Sequence, residues 1–285
     1  MPELIEVERY RVLAEGALGR DIVGVACPDG WYLKGGVTAD ALTTILIGRR
    51  FVGARRIGKV LLLDVDVDGG SGGVDVDRDD DGDGDGGSGG GGPVIGVRFG
   101  MTGSLLVDGD DAVGRLLYSS SRYDPVWDRW SVRFADGGRL VVHDPRRLGG
   151  VTIDPDTSHL GPDAAAVGAA GLGRALAGTS VALKARLLDQ SRVADIGNLI
   201  ADEVLWRSGL SPLRPSDSLS AAEVRRLHRH LVRTLADLTE RGGSHLGDLM
   251  DERRPGGVCP RDGGALVRST VGGRTSWWCP AHQVG

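Results

Sequence analysis

Three cysteines in 285 residues are too few for a disulfide framework. Cys27 stands alone, and Cys259 and Cys279 lie in the last thirty residues. That usage fits a reducing compartment and leaves the late pair as candidate metal ligands. No stretch of about eighteen apolar residues is present, which excludes a membrane-spanning helix. No apolar run follows a basic start, so a secretory signal is not expected. The chain is therefore expected in the cytoplasm. Aromatic residues are sparse at 5%, whereas 47 glycines far exceed average usage. The 40% apolar content still suffices for a core, and the length suggests two domains with a small appendage.

The net charge of −5 misleads. Residues 64–92, DVDVDGGSGGVDVDRDDDGDGDGGSGGGG, hold ten Asp and one Arg. Without them, 33 Lys and Arg outnumber 29 Asp and Glu by four. The rest of the chain is mildly basic, with arginines crowded into the second half. Residues 68–92 lack the apolar content to build a core and read as a disordered, self-repelling Asp/Gly-rich insertion between two strands.

Residues 2–18 predict a helix, with Leu4, Val7, Tyr10, Ala14 and Leu18 on one face. Short apolar runs follow at Ile22–Ala26, Trp31–Leu33, Phe51–Ile57, Val60–Val67, Val94–Phe99, Ser104–Val107, Gly114–Tyr118, Trp130–Phe134 and Arg139–His143, with a short helix over Ala39–Ile47. This is the pattern of a β-sandwich or barrel. Residues 154–178, rich in Pro, Gly and Ala, read as a hinge. Helices then dominate: Val181–Gln190, Leu199–Ser208 behind Asn198, and a long one to Arg241 opened by the capping box Ser220/Glu223. The expected class is thus α+β and multidomain. A catalytic N-terminal helix and sandwich (1–153) precede the hinge, a helical domain (179–250) and a C-terminal β-hairpin (251–285).

Four features carry chemistry. The start MPELIEVE suits a helix N-terminus, because Pro fits the first turn and acidic residues the helix dipole. It also suits a reaction centre. Removal of Met1 leaves Pro2 a free secondary amine with a pKa near ~8, able to form Schiff bases, and Glu3 stands beside it to move protons. In the segment 183–215 a helix ends, a double turn follows and Asn198 opens the next helix. The free amides there form an anion site that a DNA phosphate fits, with Lys184 and Arg186 adding charge; the other reading is an ordinary αα-hairpin with a capping Asn. At the C-terminus two knuckles, Cys259-Pro260-Arg261-Asp262 and Cys279-Pro280-Ala281-His282, flank a hairpin turning at Gly272-Gly273. Cys259, Asp262, Cys279 and His282 are all competent zinc ligands, although Asp is unusual in a structural site. The other reading is a finger without metal, held by Trp277 and Trp278. Arg274 in the hairpin suits a phosphate.

Six pieces, in order along nearly the whole chain, resemble the formamidopyrimidine-DNA glycosylase and endonuclease VIII family of helix–two-turn–helix proteins. They are MPELIEVE, GKVLLLD (58–64), RFGMTGSL (98–105), HDPRRLG (143–149), LLDQ…IGNLIADEVLW and GGRTSWWCPAHQ. The resemblance implies a base-excision-repair glycosylase with abasic-site lyase activity. Its partner is double-stranded DNA with a damaged base or abasic site, at the nucleoid, and it acts as a monomer. It implies that Pro2 attacks the sugar C1′, Glu3 protonates the ring oxygen, Glu6 bonds near the flipped nucleotide and Lys59 binds a phosphate. Met101, Arg146 and Leu148 fill the gap left by the flipped base; Lys184, Asn198 and Arg274 contact DNA; and the finger holds Zn2+. The alternative is a non-catalytic damaged-DNA-binding protein of the same fold.

The chain departs from the family pattern in several places. Ile5 replaces a proline and is expected to loosen the first helix. Leu148 replaces an aromatic wedge. Asp195 replaces a glycine at the double turn, where its charge is expected to repel phosphate. Only about fifteen residues, Gly243–Gly257, stand where purine-specific members carry a lesion-capping loop. That length moves the expectation toward an endonuclease VIII-like enzyme with broader or pyrimidine substrates, or a lyase for abasic sites.

Overall fold

A computed structural model describes residues 2–67, 91–114 and 122–284. All but the last two residues of the Asp/Gly-rich insertion lie outside these, as does the strand expected over 114–118 apart from Gly114.

Helix α1 (Leu4–Ala14) begins behind Glu3. A capping box starts it: the Glu6 side chain accepts from the Glu3 N–H while the Glu3 carboxylate reaches back toward the Glu6 amide. A short 3-10 turn, Glu15–Ala17, closes it. The helix serves two cores at once. Val7, Tyr10 and Ala14 face the sandwich, while Leu4 and Ile5 face the helical domain. Ile5 is 1% exposed, so it contributes about 2 kcal/mol of burial. The expected loosening at this position is offset by its anchoring in the second core.

Two antiparallel sheets form the sandwich. One contains β2 (Phe51–Ile57), β3 (Val60–Val65), β4 (Val94–Arg98) and β9 (Gly150–Ile153), in that order. The other runs β1 (Ile22–Ala26), β7 (Asp128–Phe134), β8 (Arg139–His143), β5 (Ser104–Val107) and β6 (Asp110–Asp111). Phe51, Leu61, Leu63, Ile95 and Val97 from the first sheet meet Trp130, Val132, Phe134 and Val142 from the second. Helix α2 (Ala39–Leu46) buries Leu42 and Leu46 against the same core, and the Thr38 side chain caps it. Residues 31–33 are not a strand. Gly30–Tyr32 is a 3-10 turn capped by the Asp29 side chain, and Tyr32 packs close against Gly149.

The stretch expected to be a hinge contains helix α3 (Ala169–Leu176), whose Leu172 and Leu176 are buried in the second core. Alanine and glycine richness hid its amphipathic spacing. Helices α4 (Leu183–Leu188), α5 (Asn198–Ser208) and α6 (Ala221–Arg241) complete that core. Ser220 and Glu223 form the expected capping box on α6, and Gly242 ends it at φ 101°. Strands β10 (Val267–Val271) and β11 (Arg274–Trp278) make the C-terminal hairpin. Both turn glycines have positive φ, 56° and 71°, the geometry of a tight two-residue hairpin turn. A third small core of Trp206, Leu249, Cys259, Leu266, Trp277 and Cys279 joins α5 to this hairpin. Among the described residues no helix is long and apolar enough to cross a membrane.

Candidate active site

Glu3 is fully buried, and its carboxylate sits on the first turn of α5. One oxygen accepts the Leu199 N–H at 2.9 Å and the other the Ile200 N–H at 3.1 Å. A helix N-terminus holds an anion in this way because its first amides lack partners and the dipole is positive there. Gly197 makes the approach possible: a Cβ there would lie 2.0 Å from the Glu3 carboxyl carbon. Burial raises the Glu3 pKa, against the opposing pull of the Lys59 cation and the two amides. The group is thus suited to carry a proton at a higher pH than an ordinary glutamate.

Lys59 is the second residue of the two-residue turn between β2 and β3. Its Nζ donates to the Ile196 carbonyl at 3.0 Å. The same carbonyl accepts from Gln190 Nε2 at 3.0 Å. Burial lowers the Lys59 pKa, opposed by Glu3 and Asp195, while nearby Arg274 lowers it further. Lys59, Gln190 and Pro2 line one cavity of about 250 Å³, together with Arg98, Gly100 and Leu148. An amine, a proton carrier and a cation with a depressed pKa therefore converge at the junction of the two main domains.

Two loops rim this cavity. Met101 sits half-buried on the turn after β4, and Arg146 and Leu148 project from the turn after β8. Leu148 is 50% exposed, and Arg146 makes no ion pair among the described residues. One buried side chain, Asp144, holds both loops. It accepts from Thr102 Oγ1 at 2.7 Å, from the Arg146 N–H at 3.2 Å and from the Gly149 N–H at 2.9 Å. Gly100, at φ 59°, lets the loops touch, since a Cβ there would meet the Leu148 carbonyl carbon at 2.4 Å. Sequence reasoning missed Asp144, Gln190 and Gly197. The first two stood inside the DPRR and LLDQ motifs, but nothing local indicated what they would bond.

The ligand atoms of Cys259, Asp262, Cys279 and His282 all lie within 4.8 Å of one another. Cys259 Sγ to His282 Nδ1 is 3.4 Å, Cys279 Sγ to Asp262 Oδ2 is 3.4 Å, and His282 Nδ1 to Asp262 Oδ2 is 3.2 Å. Ligand bonds of ~2.0–2.3 Å in a tetrahedron imply edges of roughly this length. His282 Nε2 is 3.0 Å from the Trp206 carbonyl and must donate there, which turns the Nδ1 lone pair toward the cluster. The Trp206 indole N–H reaches Cys259 Sγ at 3.3 Å. The donor set and its outer partners fit a zinc ion. Arg274 projects exposed from the attached hairpin, free of ion pairs among the described residues.

Three expectations need correction. Lys184 does not face DNA. It is fully buried, 2.7 Å from Asp202 Oδ1 and 3.0 Å from the Thr275 carbonyl, where it ties the helical domain to β11. Arg186 likewise turns inward, to the carbonyls that end α3 at Ala175 and Ala177. The α5 amides of Leu199 and Ile200 do not await a phosphate, because the Glu3 carboxylate already accepts from both. Asn198 is the first residue of α5 rather than its cap, and its Oδ1 is buried without a partner. Asp195 does not repel phosphate, for its side chain is fully buried and faces Arg56. Glu6 is buried with both oxygens engaged, one by the Glu3 N–H and one by the Ser244 N–H at 2.6 Å.

The model of the formamidopyrimidine-DNA glycosylase N-terminal domain matches residues 1–151, and that of the formamidopyrimidine-DNA glycosylase H2TH domain matches residues 160–248. The formamidopyrimidine-DNA glycosylase of Methylococcus capsulatus is 32% identical over 307 aligned positions, covering 99% of this chain and 100% of the relative. That of Laribacter hongkongensis is 37% identical over 210 positions, 66% of this chain and 74% of the relative. In fold, the chain is similar to Lactococcus lactis Fpg solved with DNA containing an abasic site, with a TM-score of 0.76 at 22% identity over 100% of both chains. It is also similar to that protein solved with DNA containing Fapy-dG, at a TM-score of 0.75 and 22% identity over 99% of this chain and 100% of the other. With both family domains matched and a relative aligned end to end, the chain belongs to the formamidopyrimidine-DNA glycosylase family of base-excision-repair enzymes.

Proposed function

We propose that this protein is a bifunctional DNA glycosylase and abasic-site lyase acting on double-stranded DNA with a damaged base or an abasic site. The observation that supports this most is the meeting of Pro2 and Lys59 on one cavity, with the Glu3 carboxylate buried next to Pro2 in the chain, on the first turn of α5. With Met1 removed, the Pro2 nitrogen attacks C1′ of a flipped nucleotide, and the base leaves with the glycosidic electron pair. Glu3 delivers its proton to the ring oxygen, and the ring opens to a cationic iminium. That cation acidifies the C2′ proton; its loss expels the 3′ phosphate by β-elimination. Glu6 holds the helix start beside the flipped nucleotide. Lys59 receives a phosphate beside the lesion and steadies the charge there.

Flipping costs a few kcal/mol, and filling the vacated stack offsets it. Met101, Arg146 and Leu148 are the side chains at hand. Asn198 and Arg274 contact the flanking phosphates. Zinc, held by Cys259, Asp262, Cys279 and His282, supplies a cross-link that fixes the hairpin carrying Arg274. The segment after α6 supports a substrate without a capping loop, an oxidised pyrimidine or an abasic site. Its short turns are engaged instead with Glu6, Glu203 and the finger core.

Borohydride trapping on abasic-site DNA tests the reading. A covalent adduct is expected, lost in Pro2→Gly and in an N-terminally extended form. Bound DNA with neither adduct nor strand cleavage would favour the non-catalytic module instead.

A further inference from the structure

Asp195 is one of four non-glycine residues with positive φ among the described residues, at 82°. A glycine takes this conformation without cost, and an aspartate there is tolerated rather than favoured. The carboxylate is nevertheless present, and its side chain is 0% exposed. Its partner is Arg56 Nη1 at 2.7 Å, an ion pair whose angle falls short of a regular hydrogen bond.

Arg56 reaches four elements. Its Nε is 3.2 Å from Glu8 on α1, and its Nη2 is 2.6 Å from Asp163. Its Nη1 donates to the Gly58 carbonyl at 3.0 Å. Gly58 immediately precedes Lys59, and Asp195 immediately precedes Ile196, the residue that receives the Lys59 ammonium. The β2–β3 turn and the double turn are therefore fastened by two adjacent rungs, Arg56 to Asp195 and Lys59 to Ile196. Gln190 fixes the second turn from behind: its Oε1 accepts the Asp195 N–H at 3.0 Å and its Nε2 donates to Ile196.

We propose that Asp195 is a positioning residue: through Arg56 it holds the turn bearing Lys59 in register with the helix that starts at Pro2 and Glu3. The proposal rests on the catalytic reading above, but its geometry can be probed without catalysis. Four charged groups face the Asp195 carboxyl or its partner: Arg56 from β2, Lys59 from the turn, Asp163 from the stretch before α3, and Glu8 from α1. One guanidinium thus serves three carboxylates. Burial, helped by the like-charged Asp163 beside it and opposed by Arg56, pushes Asp195 up to about 6.

The test uses Asp195→Asn and Asp195→Gly in the full chain. Arg56 keeps Asp163 and Glu8 in both, so both are expected to fold. Affinity for duplex DNA with an uncleavable abasic analogue should change less than about twofold. Single-turnover cleavage of abasic-site DNA should fall about tenfold, since small misplacements of a catalytic group cost one to two orders of magnitude. The lysines are Lys34, Lys59 and Lys184. Acylation by an amine-reactive reagent, read peptide by peptide, should therefore rise severalfold at Lys59 and stay constant at Lys34. Wild-type labelling and cleavage in both variants overturn the proposal, as does a loss of cleavage that merely tracks a lowered melting temperature. If the wild type forms no adduct with abasic DNA, the catalytic reading fails, while the labelling still decides whether Asp195 holds Lys59.

Discussion

Two lysines, Lys184 buried and Lys59 half-buried, stand near carboxylates at the seams between domains, and they have opposite uses. Lys184 is sealed and held by two acceptors: Asp202 pairs with it at 2.7 Å and the Thr275 carbonyl accepts from it at 3.0 Å, while Asp202 is also bonded by Ser276 and contacted by Arg253. Lys59 borders a cavity, holds one backbone carbonyl and has no carboxylate within ion-pairing distance among the described residues. Glu3, the nearest acid in its electrostatics, spends its oxygens on the amides of α5. A lysine sealed from solvent and paired with a carboxylate is a structural tie. One left partly unsatisfied beside space is available to a substrate.

Exchange of the two lysines for methionine tests this contrast most directly. Lys59→Met should cut abasic-site cleavage by about 100-fold or more, in the range of a lost acid–base or electrostatic group, with melting nearly unchanged. Lys184→Met should instead lower stability by about 3 kcal/mol, the cost of breaking a buried pair, and leave the turnover of folded enzyme intact. Chemical melts beside single-turnover rates separate the two, and equal losses of stability would break the comparison.

Gly197→Ala sharpens the Glu3 side. A methyl group 2.0 Å from the carboxyl carbon must expel it from the α5 amides. Cleavage should fall by roughly 10- to 100-fold, with a melt lowered by about 2 kcal/mol from overpacking. Unchanged trapping by borohydride would show that the amide clamp is dispensable.

Zinc content separates the finger from both lysine sites. About one zinc per chain is expected by elemental analysis, and Cys259→Ser should lower it. A chelator should weaken DNA binding through Arg274 by about tenfold, the share of one or two phosphate contacts, and leave Lys59 labelling unaltered.

The smallest effect is a dependence of stability on pH. Asp195 titrates at about 6 in the folded chain against ~3.9 unfolded, so the folded state binds more protons between those values. Its contribution is complete below the unfolded value and is lost as pH rises through about 6. Asp195→Asn lacks this loss. It should gain on the wild type by on the order of 1 kcal/mol between pH 5 and 7.5, read from denaturant melts. A constant difference across that range would contradict the buried charge.

Much of the fold was legible because its signals are local. Strands such as Phe51–Ile57 and Arg139–His143 agree with their apolar runs to the residue. The Ser220/Glu223 box and the Gly272-Gly273 turn depend on neighbours three residues away or fewer. The finger ligands were readable for the same reason, as two knuckles around a hairpin. The errors over charged groups at the site share one cause. Lys184, Asp195 and the amides of α5 were read for the charge they display, and each is neutralised by a partner distant in the chain: Asp202, Arg56 and Glu3.

The sequence by itself determined the layers, the helix starts, the zinc-competent finger and the family, since these rest on periodicity, caps and motifs in order. Only the tertiary structure decided which charges meet. A helix N-terminus attracts any anion, and a buried cation accepts any carboxylate. Which one arrives depends on how two domains close on each other. Here that closure delivers Glu3 to α5, leaves Lys59 facing the cavity and turns Asp195 inward to Arg56.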